Sequence, residues 1–224
     1  MRLALFDIDG TLTGDHVWKG LMAYFTHHRR KLWVHRAYLL THYPLYLARK
    51  AHLIGEATFR YRWAADLGWY LRGERVEQGE IIGQWVAETY LRPTWRQKVV
   101  NRLKEHLTLG DTVVLISTAP DPLVRAIARH LGTPHGIGSR FETSEGRFTG
   151  KPAVPLCLGE KKIHCLRLYL EKQGIPLQWE NSTAYADSIT DLAILEAVAH
   201  PVAVHPDAAL HEIAQSRRWE IITG

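Results

Sequence analysis

The sequence predicts an α/β protein: a parallel sheet covered by helices on both faces, with a helical insertion after the first strand. Three observations lead there. Short apolar runs that read as buried strands occur at 2–7 (RLALFD), 111–116 (DTVVLI), 182–186 (STAYA) and 201–204 (PVAV). Helical patterns at 120–132, 159–173, 189–198 and 207–217 alternate with them, and such alternation marks a parallel sheet with a helix layer on each face. The stretch from 15 to 91 has no clear strand and holds seven of the nine tyrosines, so it reads as a separate helical piece.

Each element has a local reason. Pro120 and Pro122 sit where a helix begins, in the turn that tolerates proline because its N–H groups lack helical partners. Residues 139–150 (SRFETSEGRFTG) read as a hairpin turning near Glu145–Gly146. Residues 37–48 (AYLLTHYPLYLA) are apolar but too short to span a bilayer, and Arg36, Arg49 and Lys50 close them at both ends.

Bulk properties narrow the class. The 224 residues are 46% hydrophobic and 23% charged, which excludes a disordered chain and allows one large domain or a core with a smaller insertion. Lys and Arg outnumber Asp and Glu by 28 to 23; this modest excess suits an anionic ligand, whether metabolite, lipid surface or nucleic acid. No recognisable nucleic-acid-binding motif supports the last. Cys157 and Cys165 match no metal or redox spacing and read as reduced thiols. The opening MRLALFDIDG is unlike a signal peptide, so a cytoplasmic protein without a membrane span is expected.

Chemistry concentrates where strands end. In DIDGT, Asp7 to Thr11, a strand delivers Asp7 and Asp9 into a turn opened by Gly10. Carboxylates two apart can face one site, and a pair held close repels unless a cation or proton intervenes. A hard divalent ion such as Mg2+ prefers such oxygen ligands. Alone, the segment also fits a solvated turn. Ser117 and Thr118 follow the second long strand, where small hydroxyls and free N–H groups make either a phosphate cradle or an N-cap. GEKK, 159–162, opens a helix with Lys161 and Lys162. ADSITD, 186–191, places Asp187 and Asp191 one helical turn apart.

The order DIDGT, STAP, GEKK, ADSITD resembles the four motifs of the haloacid dehalogenase superfamily. The helical insertion resembles the cap of subfamily IB, which contains phosphoserine phosphatase. The resemblance covers 1–14 and 92–224 closely, and 15–91 in type. It implies a Rossmann-like three-layer α/β/α core (1–14 plus 92–224) with an all-helical cap (15–91), and a magnesium-dependent phosphatase working through an aspartyl-phosphate. Carried over by position, Asp7 matches the nucleophile and Asp9 the general acid. Lys162 matches the conserved lysine, with Lys161 as runner-up. Ser117, Thr118, Gly10 and Thr11 match the phosphate-binding positions. Asp7, Asp187 and Asp9 through its main-chain carbonyl match the metal ligands, and Asp191 the acid that supports them.

Two positions depart from the pattern. Ala186 stands where the family usually has glycine, and His16 stands where phosphoserine phosphatases carry a glutamate for the substrate's ammonium. The expected partner is a small phosphorylated metabolite or a lipid-linked phosphomonoester. A phosphotransferase using the same intermediate and a non-catalytic anion-binding protein are the alternatives. From His16 to Gly55 there is no Asp or Glu, while Lys19, Arg29, Arg30, Lys31, Arg36, Arg49 and Lys50 lie among aromatics. That pattern fits a solvated cap surface, or peripheral contact with anionic lipid.

Overall fold

A computed structural model describes residues 2–223. Six parallel strands form one sheet in the order β3-β2-β1-β6-β7-β8. These are β1 (Leu3–Phe6), β2 (Thr112–Pro120), β3 (His135–Ser139), β6 (Thr183–Ala186), β7 (His200–Val204) and β8 (Glu220–Ile222). β1 lies centrally, with Leu5 paired to Val114 on one side and Ala184 on the other.

Period-two alternation splits the strands between two cores. Ala4 and Phe6 of β1, with Val113 and Leu115 of β2, join one apolar cluster. Leu3 and Leu5, with Val114 and Ile116, join the other. Each face needs its own cover, which is why these strands read as continuous apolar runs. The second face is covered by α8 (Lys161–Gln173), α9 (Leu192–Ala197) and α10 (Ala208–Ser216). The first is covered by α6 (Gln97–Thr108) and α7 (Asp121–His130).

Between β1 and β2 the chain runs through α1 (Val17–His27), α2 (Leu32–Lys50), α3 (Glu56–Asp66), α4 (Gly68–Leu71) and α5 (Val76–Trp85), then a π-helical turn, Val86–Tyr90. The first core continues into this helical piece through Leu21, Phe25, Tyr38 and Tyr70. Among the described residues, no helix is long and apolar enough to cross a membrane.

The hairpin is β4 (Phe141–Ser144) and β5 (Arg147–Pro152), turning at Glu145 (φ 51°) and Gly146 (φ 70°). It packs on α4 so closely that a Cβ at Gly68 would lie 2.2 Å from the Gly150 carbonyl oxygen.

Three elements differ from the sequence expectation. The helix expected over 189–198 begins as a 3-10 turn, Ile189–Asp191, and becomes α-helical only at Leu192. β3 was not expected, because His-Gly-Ile-Gly-Ser lacks β-branched or aromatic density. Its glycines are demanded by packing: a Cβ at Gly138 would lie 2.6 Å from both the Ala119 carbonyl and the Asp121 Cα. β8 is a three-residue edge strand near the chain's end, too short to give a periodic signal.

Candidate active site

Parallel strands carry their carboxyl ends to one edge of the sheet, so β1, β2 and β6 deliver Asp7, Ser117 and Asp187 to the same place. Carboxylate oxygens of Asp7, Asp187 and Asp191 lie within 4.8 Å of one another. The Lys162 Nζ is 2.6 Å from Asp7 Oδ1 and 2.7 Å from Asp191 Oδ1. Lys162 is 3% exposed, whereas Lys161 faces solvent. Only one of two adjacent helical residues can face inward, and it is Lys162.

Burial, opposed by Lys162 and reinforced by Asp191, Asp187 and Asp9, raises the Asp7 carboxyl well above its ordinary range. Burial and the nearby Asp191 charge push Asp187 up to about 6. Burial would lower Lys162, but Asp191 and Asp7 outweigh it, so the net shift is upward and the ammonium stays charged. One buried cation therefore serves three crowded carboxylates. Such a set of hard oxygen donors, short of positive charge, fits a divalent ion such as Mg2+.

The Asp9 side chain points away from the other three acids, which leaves its main-chain carbonyl as the metal-facing group that the sequence pattern implies. Its Oδ1 accepts the N–H of Val17, the first residue of α1, and the Ser117 hydroxyl donates to its Oδ2 at 3.4 Å. His16 offers no side-chain cap to α1, so Asp9 caps that helix and ties it to the loop that carries Asp7. Burial raises its carboxyl, against the Val17 hydrogen bond. The carboxylate cluster thus contains Asp191 rather than the Asp9 side chain.

Two positions expected to contact phosphate also make contacts within the site. The Gly10 N–H donates to the Thr13 carbonyl at 2.9 Å. Gly10 adopts φ +86°, and a Cβ there would lie 2.0 Å from Asp187 Oδ2, so this glycine makes room for the carboxylate. The fully buried Thr11 donates its hydroxyl towards Asp7 Oδ2 (3.4 Å) and Asp187 Oδ1 (3.3 Å). It orients two acids. Ser117 is buried and accepts the Ala119 N–H, while Thr118 lines the cavity.

Sequence reading missed Asp207. Its Oδ2 accepts the Ile189 N–H and the Ser188 hydroxyl, and its own N–H donates to the Asp187 carbonyl at 2.8 Å. It also caps α10 through the Leu210 N–H. One side chain thus pins the loop that carries Asp187 and Asp191. The only sequence signal was an aspartate before a helical run, indistinguishable from an ordinary N-cap.

Above these groups lies a cavity of about 490 Å³, reached by Asp7, Asp9, Lys162, Asp187 and Asp191 from below. The helical insertion closes it with Trp18, Phe59 and Trp63, and with Arg49, Arg60 and His16. Trp63 packs its edge on Trp18, at 5.0 Å between ring centroids. Glu56 accepts from Arg49 at 2.9 Å and Arg60 at 2.7 Å. Arg60 also reaches Thr190 at 3.5 Å, bridging the insertion to the Asp187–Asp191 loop.

Comparison with known proteins agrees with this geometry. Residues 4–196 match the haloacid dehalogenase-like hydrolase family. The chain is 39% identical over 151 residues to a probable phosphatase of Mycobacterium tuberculosis (strain H37Rv), an alignment covering 67% of this chain and 52% of that protein. It therefore spans about half of that relative's length. It is 30% identical over 233 residues to a histidinol-phosphatase of Neisseria meningitidis serogroup C, covering 99% of this chain and 98% of the other. Among solved structures, a Bordetella pertussis protein of unknown function superposes with a TM-score of 0.82 at 26% identity, covering 99% and 98% of the two chains. A phosphoserine phosphatase holding a phospho-aspartyl intermediate analogue shares the fold, with a TM-score of 0.57 at 16% identity, covering 99% and 92%. By its motifs, its sheet and its match along most of its length, the chain belongs to the haloacid dehalogenase-like hydrolase family.

Proposed function

We propose that the protein hydrolyses a phosphomonoester through an aspartyl-phosphate on Asp7, with the helices of 15–91 acting as the cap over a core made of 1–14 and 92–224. The observation that carries this reading is the contact between Lys162 and Asp7 beneath the cavity, with Asp187 and Asp191 alongside.

In this reading an Asp7 oxygen attacks phosphorus while the bond to the leaving oxygen breaks. Lys162 neutralises charge on the phosphoryl oxygens, and Ser117 and Thr118 supply hydroxyls beside it. Asp9, whose burial favours its protonated form, gives its proton to the leaving alcohol. It then takes a proton from the water that attacks phosphorus, releasing inorganic phosphate and restoring the Asp7 carboxylate. Asp7 and Asp187, with Asp191 in reach, would hold Mg2+, which when bound supplies positive charge for the phosphate oxygens. Thr11 and Asp207 keep these carboxylates in place.

The cap lining bears on the leaving group. His16 offers no carboxylate for an ammonium, and Glu56 is held by Arg49 and Arg60. A leaving group with an apolar or planar part against Trp18, Phe59 and Trp63, and an anionic group near the arginines, suits this lining better than one bearing an ammonium. A soluble phosphorylated metabolite and a lipid-linked phosphomonoester both fit that chemistry. Two free thiols, Cys157 and Cys165, accord with a reducing cytoplasmic setting.

A panel of phosphomonoesters assayed with Mg2+ and with EDTA tests the reading. Phosphate release that requires Mg2+ and favours anionic over ammonium-bearing leaving groups is expected. Release unaffected by EDTA would overturn the metal assignment, and no release from any ester would overturn the reaction. Transfer to an added alcohol in preference to water would convert the assignment to a phosphotransferase.

A further inference from the structure

Among the described residues, nothing packs on the outer face of α2. Residues 32, 36, 39, 40, 43, 47 and 50 fall within one sector of the helix at 100° per residue, and all are exposed. They include large apolar side chains: Leu40 is 76% exposed and Tyr43 63%, with Trp33 beside them at 75%. The opposite face carries the buried Val34, Tyr38 and His42. The helix is therefore apolar on both sides, and only one side meets the core. The helix has 19 residues and is about 28 Å long, and an apolar ridge exposed along it is more than scattered surface leucines explain.

The ridge is also cationic. Arg36 and Lys50 lie within it, and Arg36 has no ion pair among the described residues. From His16 to Gly55 there is no acid to balance them.

We propose that this face of α2 docks on an anionic lipid surface, a step independent of the reaction at Asp7. The apolar ridge would enter the headgroup boundary, with Arg36 and Lys50 extending their charges to lipid phosphates. Trp33 and Tyr43 carry the amphipathic rings that favour such boundaries. A second copy of the chain is a poorer occupant, since it would bring the same cations and no acid from this stretch to meet them. A convex ridge also suits a deformable surface better than a partner requiring a matching groove. The same helix supplies Tyr46 and Arg49 to the cavity lining, so the docked face and the cavity wall belong to one element.

Co-sedimentation of the full chain with vesicles tests this. Vesicles of phosphatidylcholine and phosphatidylglycerol in equal parts should bind it, pure phosphatidylcholine vesicles should not, and added salt should release it. Leu40→Asp and Arg36→Glu lie outside the cavity, so both should keep wild-type turnover of para-nitrophenyl phosphate. Each should weaken vesicle binding, the double variant by at least about tenfold. Failure to bind the anionic vesicles at low salt would overturn the proposal. So would undiminished binding by the double variant. A dimer in solution that Leu40→Asp dissociates would reassign the face to a second copy. The vesicle-binding and oligomer results do not depend on whether the protein proves to be a phosphatase.

Discussion

The Lys162 ammonium lies 2.6 Å from the Asp7 carboxylate, across 155 positions of sequence. β1 brings one and the first turn of α8 the other, and both are buried. The contact sets what the remaining acids require, because Asp191 draws on the same ammonium at 2.7 Å and Asp187 has no lysine of its own among the described ion pairs.

Replacing that lysine is the most selective test of the cluster. Lys162→Ala should lower kcat/KM by about 10²–10³-fold, the usual loss when one positioned charge donor is removed. It should also lower stability by about 3–5 kcal/mol at neutral pH, since it leaves buried carboxylates unpaired. Lys161→Ala, at an exposed position, should change stability by no more than about 0.5 kcal/mol and leave turnover intact. Steady-state kinetics and thermal melts of the two variants check this; equal effects would mean that burial of Lys162 is incidental.

The metal-free protein should lose stability as pH rises. Asp187 moves from its ordinary 3.8 to about 6 in the folded chain, so the folded state holds its proton more tightly than the unfolded state. A raised carboxyl stabilises below the unfolded value, and that contribution disappears as pH passes through about 6. About two pH units correspond to about 3 kcal/mol as an upper figure. Melting in EDTA between pH 4 and pH 7 should show the decline at this site, and Mg2+ should reverse it at pH 7. Asp187→Asn should flatten the EDTA profile; a wild-type profile in that variant would remove Asp187 as its source.

Gly10→Ala probes the space beside Asp187. The added Cβ would meet Asp187 Oδ2 at 2.0 Å on a backbone at φ +86°. A destabilisation of about 1–3 kcal/mol is expected from the overlap, with weakened Mg2+ binding by calorimetry. Gly146→Ala also changes a left-handed glycine (φ +70°), but it has open space around it. It should cost some stability and leave Mg2+ binding unchanged. Equal Mg2+ affinity in the two variants would contradict the steric role of Gly10.

Asp9→Asn should lower turnover by at least about 10²-fold, the usual low end for general acid–base catalysis. The amide would still accept the Val17 N–H, so α1 should stay docked and the melting temperature near wild type. A large fall in melting temperature would show that Asp9 acts mainly as the helix cap.

Four of the strands, and the polar residues that end three of them, were legible for one reason: a buried parallel strand must be apolar throughout, and a polar residue at its carboxyl end then stands out. Asp7, Ser117 and Asp187 all announce themselves in this way. Asp207, Thr11 and Gly10 did not, because their roles depend on partners far away in sequence. Thr11 reaches Asp187 across 176 positions, and nothing local separates that from an ordinary loop threonine. β3 was hidden for a related reason: its glycines answer to the crowding of α7, not to strand propensity. The cap's helices were visible in bulk, but the division of α2 into one buried and one exposed apolar face needed the fold.

The proposed reaction requires that Asp7 become phosphorylated. It is tested most directly by quenching the protein in acid during turnover of a phosphomonoester with Mg2+, reducing with borohydride and sequencing the peptides by mass spectrometry. Borohydride converts an aspartyl-phosphate to homoserine, so homoserine at position 7, absent without substrate, is the predicted result. Homoserine at another aspartate, or unmodified Asp7 in a protein trapped under rapid turnover, would contradict the account.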